Sequence, residues 1–227
     1  MESAAKPSVL FVYYTFTKQA RKVTEDMEAV FRDRGWDTQR AEIEFTDHRY
    51  VKNFEHFPMK HRYFDVIRML PAQLRRATGE VRVPPEAEGG DYDLVVIGSP
   101  TWWLTTCMPV RSYLKSDAAA KLLKGRSVAG YVVCRRYWKN NLKTVQKLAE
   151  GHGATCVDTT HFAYLGGQVR SLLSLISYLG TGEYHDRYLG IKIPPTNLQP
   201  SHDEAARAFA NSLVDRVGAP GSTVASG

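Results

Sequence analysis

The sequence predicts an α/β protein, a single domain in which helices wrap a doubly wound sheet of five parallel strands. Three observations carry this reading. Strand-like segments, the clearest of them short apolar runs, alternate five times with helical segments. The sharpest run, Leu94 to Ile97, stops at Gly98-Ser99-Pro100 and is followed at once by Thr101, Trp102 and Trp103. No internal repeat divides the 227 residues, a length suited to one well-buried domain with insertions.

Taken in order, Val9 to Tyr14 reads as the first buried strand. It breaks into Thr15-Phe16-Thr17-Lys18 and then a helix to about Arg34, with Val23, Met27, Val30 and Phe31 on one face and Gly35 placed to end it. A second, weaker strand covers roughly Thr38 to Phe45. Residues 46–90 are longer than a crossover needs and are expected to form a lid or an interface. They hold a helix from about Tyr63 to Ala77, which Pro71 is expected to kink or divide, and a loop at Pro84-Pro85 and Gly89-Gly90. The third strand is Leu94 to Ile97, and a helix follows from Met108-Pro109 to about Leu123. Val128 to Cys134 is the fourth strand, Asn140 to Glu150 a helix, and Thr155 to His161 the fifth strand. An extension, residues 162–199, carries an apolar helix from Val169 to Leu179, too short to span a bilayer. Its dense leucines call for packing on the domain, on a second subunit or on a membrane surface. Ser201 and Glu204 form a capping-box pattern that opens a final helix to about Val217. The domain thus spans residues 8–217, and residues 1–7 and 218–227 are expected to be flexible.

Composition narrows the function classes. Hydrophobic residues at 43% and charged residues at 24% are ordinary globular values. Cys107, Cys134 and Cys156 are scattered and odd in number, which suits a reducing cytoplasm rather than a disulfide framework or a metal site. Met1 to Ser8 lacks the long apolar core of a signal peptide. A net charge of +6 favours anionic partners such as phosphorylated cofactors or acidic lipid, and no nucleic-acid motif accompanies it. His48, His56 and His61 are spaced neither i,i+3 nor i,i+4, so a metal site is not expected.

In an open α/β sheet, ligands bind outside the carboxyl ends of the strands. Thr15 and Thr17 place hydroxyls at one such end beside helix N-terminal amides that favour an anion, and Lys18 adds a positive charge. A threonine N-cap on a structural helix is the plainer alternative. At the third strand end, Trp102 and Trp103 offer a flat wall for a planar ring, or else plug the core.

These two stretches, Val9 to Thr17 and Ile97 to Trp103 with Met108 to Leu114 behind it, resemble the flavodoxin-like FMN-binding superfamily, and the likeness runs over most of residues 8–217. The resemblance implies a strand order of 2-1-3-4-5, with FMN lying across the ends of strands one, three and four. It implies a phosphate loop of Thr15, Phe16, Thr17 and Lys18, and a ring loop of Ser99, Pro100, Thr101, Trp102, Trp103 and Leu104 in which Trp102 or Trp103 stacks on the ring. The third loop would be Cys134, Arg135, Arg136 and Tyr137, where the family often has small residues. Its arginines either steady a reduced ring, grip a pyridine-nucleotide phosphate, or project into solvent. The family also has glycine at the position of Lys18 and a hydroxyl at that of Ala20, and this chain has neither. Aromatic residues of the long insertion, Tyr50, Phe54, Phe57, Tyr63 and Phe64, either sandwich a flat substrate or form a satellite core. The activity implied is NAD(P)H-dependent reduction of a quinone or similar planar acceptor. The alternatives are a non-enzymatic electron carrier, a membrane-peripheral porphyrinogen oxidase, or a module that has lost FMN. A homodimer and a peripheral membrane contact are further expectations.

Overall fold

The computed structural model describes residues 6–54, 56–164 and 166–218. Strand β1 (Ser8–Tyr13) is buried along nearly its whole length, as its unbroken apolar run requires. Helix α1 (Gln19–Asp33) turns Val23, Met27, Val30 and Phe31 inward, and Gly35, at φ 82°, closes it by donating to the Arg32 carbonyl at 2.9 Å. Strand β2 (Asp37–Glu42) pairs parallel to β1. The strand expected to reach Phe45 divides here. The Ile43 amide still donates to the Tyr13 carbonyl at 2.8 Å, but β3 (Glu44–Phe45) turns away to pair antiparallel with β4 (Val81–Arg82). The long insertion therefore opens and closes on a two-stranded ribbon.

Within that insertion α2 (Arg62–Leu74) runs on through Pro71, so the proline does not divide it in two. The amide that proline lacks would have met the carbonyl of Ile67. Both residues lie on the exposed side of the helix.

Strand β5 (Leu94–Trp102) does not stop at Ile97 but continues through Gly98-Ser99-Pro100. Gly98, Ser99 and Pro100 pair with Tyr131, Val132 and Val133 of β7 (Ser127–Cys134), whereas β1 ends opposite Gly98. Past Gly98 one side of β5 is an edge, and a proline is tolerated there. The strand then folds back as β6 (Thr105–Thr106). The single helix expected from Met108 to Leu123 is two, α3 (Met108–Tyr113) and α4 (Asp117–Leu123). Ser116 parts them by taking an extended backbone and accepting the Ala119 amide at 3.3 Å, an N-cap inside an otherwise helical pattern. Next come α5 (Trp138–Glu150), β8 (Thr155–Ala163), α6 (Gln168–Thr181), the hairpin β9 (Arg187–Tyr188) and β10 (Ile191–Lys192), and α7 (Pro200–Val217). The capping box of α7 is formed by Gln199 and His202 rather than Ser201 and Glu204, because Pro200 already occupies the first helical position; the Gln199 amide donates to His202 Nδ1 at 2.9 Å.

The five long strands are parallel in the order β2-β1-β5-β7-β8. One face packs Phe11, Val96 and Tyr131 against α1 and α7; the other packs Leu10, Val95 and Ile97 against α3, α4 and α5. Pro7 and Gly218, inside the termini expected to be flexible, are both held: the Pro7 carbonyl accepts from Asp37 and Gly218 donates to Val214, each at 2.8 Å. Residues 1–5 and 219–227 lie outside the described residues.

Candidate functional site

The carboxyl ends of β1, β5 and β7 open onto a cavity of about 390 Å³, within the range of small-molecule sites. Twelve of the fourteen residues expected at the site line it, all but Lys18 and Ser99. Ser99 is fully buried beneath the loop, where its hydroxyl donates to the Pro100 carbonyl at 3.1 Å, so it does not face a ring. Lys18 is exposed at the rim.

The first wall is built at the start of α1. Lys18 is its N-cap but supplies no side-chain cap, and no acidic residue stands in the first turn. Neither threonine caps the helix, so its leading amides are available to an anion alongside the Thr15 and Thr17 hydroxyls. Lys18 sits at φ 62°, the left-handed region that favours glycine, so the loop keeps a glycine-like backbone without the glycine. Tyr131 braces this turn from below. Its buried hydroxyl lies 3.0 Å from the Ala20 carbonyl and 2.7 Å from Thr24 Oγ1. Gly98 is what leaves room for the ring, since a Cβ there would stand 2.2 Å from the Tyr131 hydroxyl.

The second wall is the turn between β5 and β6. Trp102 is already engaged: it stacks on Phe54 with centroids 4.4 Å apart and meets Tyr14 edge-on at 5.6 Å. Trp103 is the indole left open, 37% exposed and held at φ 58°. Across the cavity, Tyr137 follows β7 at φ 64° and is 40% exposed. Cys134 at the base is buried, which pushes its thiol up to about 12; it is a packed neutral thiol without the thiolate character of a redox cysteine.

The insertion and the extension close over the top; the sequence offered aromatic residues of the insertion for such a lid, but not the aliphatic residues that supply most of it. Val66 and Met69 of α2, with Leu172, Leu175 and Leu179 of α6, complete its lining. Phe16 packs edge-on against Phe54 at 5.3 Å and Phe57 at 5.6 Å, and Phe57 meets Tyr178 at 5.2 Å. The Gln73 amide nitrogen ties α2 to the tryptophan turn through the Trp102 and Thr106 carbonyls at 3.2 and 2.6 Å. Arg135 and Arg136 turn to α6: Arg135 donates to the Gln168 carbonyl at 2.9 Å and Arg136 to Gln168 Oε1 at 3.3 Å. Each guanidinium thus has a protein partner, although Arg136 remains exposed and both residues line the cavity. Of the expected aromatic lid only Phe54 lines the cavity. Tyr50 stacks on Phe45, Phe64 is 67% exposed, and the Tyr63 side chain lies outside the described residues. The α6 serines explain how that helix packs: Ser171, Ser174 and Ser177 form its buried face, which leaves the leucines to the cavity. The i,i+3 spacing of those serines was the signal available in the sequence. Among the described residues no cluster of histidine, cysteine and acidic groups could hold a metal.

The donor set suits a ligand with an anionic end and a flat apolar body. The anion meets uncapped amides and hydroxyls, and the body lies among Trp103, Leu104, Tyr137 and the apolar lid. FMN has both parts, and the residues present fit it.

No protein-family model and no curated protein matches the chain. Solved structures do. A flavoprotein from Lactobacillus acidophilus in complex with FMN is 18% identical, with a TM-score of 0.52 over 69% of this chain and 93% of its own. Oxidised flavodoxin 1 from Bacillus cereus is 11% identical, with a TM-score of 0.50 over 92% of this chain and 97% of its own. A putative flavoprotein from Bacteroides eggerthii is 14% identical, with a TM-score of 0.50 over 91% and 98%. With its parallel order β2-β1-β5-β7-β8 and its cavity at the strand ends, the chain has the flavodoxin-like fold.

Proposed function

We propose that the protein is an FMN-dependent oxidoreductase that uses NAD(P)H to reduce a quinone or similar planar acceptor. The observation that carries this reading is one cavity joining the uncapped N-terminus of α1 to the open faces of Trp103 and Tyr137. FMN held there supplies the two-electron redox chemistry. The chain's own residues bind and shield. Thr15, Thr17 and the first amides of α1 hold the phosphate, Trp103 and Tyr137 bracket the ring, and Phe54, Met69 and Leu175 keep water out. The lid of α2 and α6 favours an enzyme over a carrier, because a carrier needs its ring edge open to a protein partner. The charge of +6 points the same way, since electron carriers of this fold dock on basic surfaces.

The test is a visible absorption spectrum of the purified protein, before and after adding FMN and desalting, followed by anaerobic NADPH and NADH. Retained flavin with quenched fluorescence, bleached by a nicotinamide donor, is the expected result. No flavin bound at micromolar FMN would overturn the reading, and bound flavin that neither donor bleaches would favour the carrier.

A second reading places the acceptor in a lipid surface. The outer side of α2 exposes Phe64, Ile67 and Leu74, with Lys60, Arg68 and Arg75 exposed beside them. An apolar stripe among cations suits an anionic membrane surface better than a second copy of the same face, whose like charges would oppose it. Co-sedimentation with anionic but not neutral vesicles, lost in Ile67→Asp, is the outcome expected of this reading.

A further inference from the structure

A second cavity, of about 610 Å³, lies on the far side of the tryptophan turn and shares Trp103 and Leu104 with the first. Its lining brings together Arg76, Arg111, Lys115, Lys143 and Lys147 from three separate parts of the chain, and it contains no acidic residue. Among the described residues none of these five forms a salt bridge, whereas nine other arginines and lysines do. Arg111 is the informative member. It is 1% exposed, and its guanidinium donates only to neutral oxygens: the Ala77 carbonyl at 2.9 Å, the Thr106 carbonyl at 3.0 Å and Gln73 Oε1 at 2.8 Å. Burial, reinforced by the nearby Arg76 charge, lowers its pKa. A buried charge without a counter-charge is costly, and so is the gathering of four more cations around it. Lys143 and Lys147 repel each other one helical turn apart on α5, and Arg76 adds a left-handed backbone at φ 53°. An anion bearing several phosphates offsets all of these costs at once.

The geometry points to the phosphate groups of the pyridine dinucleotide donor as the occupant of this second cavity, with the 2′-phosphorylated form preferred. The dinucleotide identity rests on the oxidoreductase reading; the polyanion chemistry does not. Trp103 and Leu104 line both cavities, so the two adjoin at the tryptophan turn and a dinucleotide anchored by its phosphates in the second can extend past that turn into the first. Five cations exceed what the two phosphates of the unphosphorylated dinucleotide need. On this assignment the donor's phosphates are held by this cluster, while Arg135 and Arg136 stand at the first cavity.

The experiment is calorimetric titration of the full chain with NADP⁺, NAD⁺ and inorganic pyrophosphate, alongside the flavin spectrum. It compares the unaltered protein with Lys143→Gln, Lys147→Gln and the double variant. Both lysines are exposed on a helix and glutamine keeps helix propensity, so folding is not at stake. The expected result is NADP⁺ binding that weakens with salt, is displaced by pyrophosphate, exceeds NAD⁺ binding by at least about tenfold, and falls about tenfold for each lysine removed, one charge-assisted contact apiece. Flavin retention stays unchanged in all three variants. NADP⁺ binding that ignores both substitutions, or no NADP⁺ binding at all, overturns the assignment, and pyrophosphate binding without dinucleotide binding overturns the ligand's identity. A protein that holds no FMN yet binds NADP⁺ through these lysines sustains the site and sinks the oxidoreductase reading instead. Retained FMN with lysine-independent NADP⁺ does the reverse.

Discussion

Gly98 and Tyr131 are expected to act as one unit, and a double-mutant cycle reads that coupling directly. A Cβ on Gly98 would lie 2.2 Å from both Cζ and the hydroxyl of Tyr131 and 2.5 Å from Cε1. The ring has no easy retreat, because it is fully buried and its hydroxyl is fixed between Ala20 and Thr24. Gly98→Ala is therefore overpacking against a pinned side chain, at the upper end of the usual ~1–3 kcal/mol. Tyr131→Leu loses the ring and its hydrogen bonds and costs about 3 kcal/mol by itself. In the double variant the methyl group finds the space the ring has left, so the two costs do not add. The combined loss falls short of their sum by about 2 kcal/mol, a coupling typical of residues in contact. Urea denaturation of the four proteins measures it through the midpoint at constant slope. Additive losses would show that Gly98 is not there to admit Tyr131. Because Tyr131 reaches the first turn of α1, Tyr131→Phe should also weaken FMN binding while costing only about 1 kcal/mol of stability.

Three further outcomes follow from the same structure. Lys18→Gly removes a left-handed strain of about 1–2 kcal/mol at the cost of a floppier unfolded chain, for a net gain of about 1 kcal/mol or a rise in Tm of about 2–4 °C. It should also tighten FMN binding by letting the backbone approach the phosphate; weaker binding would mean that the lysine charge matters more than the backbone. Asp47, buried between the two ends of the insertion, accepts from the Arg49 guanidinium at 2.6 Å and the Glu80 amide at 3.0 Å, and the Arg49 hydrogen bond above all lowers its pKa to about 2. A depressed carboxyl contributes stability that is present above its unfolded value near 4 and lost as pH falls toward 2. Unfolding midpoints should drop over that window by up to about 2 kcal/mol, and Asp47→Asn should flatten the drop. Burial pushes both Cys107 and Cys134 up to about 12, so a thiol reagent at pH 8 should leave both untouched in the native protein and titrate both after unfolding.

The sheet was legible because its signal is local: runs such as Leu94 to Ile97 are apolar on both faces wherever they are placed. What escaped reading depended on partners far along the chain. Gly98-Ser99-Pro100 looks like a stop, yet β7 pairs with it from some thirty residues away, and β6 then carries the strand on to Trp102. Trp102 and Trp103 are indistinguishable in sequence, and only Phe54 of the insertion decides which indole is free. Arg135 and Arg136 read as ligand arginines until Gln168 of the extension claims both. The second cavity is the extreme case: its five cations fall into Arg76, the pair Arg111 and Lys115, and the pair Lys143 and Lys147, and nothing local in the sequence brings the three groups together.

Backbone strain tells the two kinds of position apart. Among the described residues six other than glycine take a left-handed φ. Lys18, Trp103 and Tyr137 follow the three strand ends that frame the first cavity, and Arg76 stands in the wall of the second. Each costs of order 1–2 kcal/mol that a glycine would spare. A core holds no reward for that, because these side chains are half-exposed or exposed and contribute little burial in return. A ligand that meets these side chains would offset the strain. A flat ring between Trp103 and Tyr137 and phosphates beside Arg76 would each do so. Substituting glycine at Trp103 or Tyr137 should therefore cost ligand binding out of proportion to its effect on stability. If binding and stability fell together, the left-handed residues would be serving the fold and not the ligand.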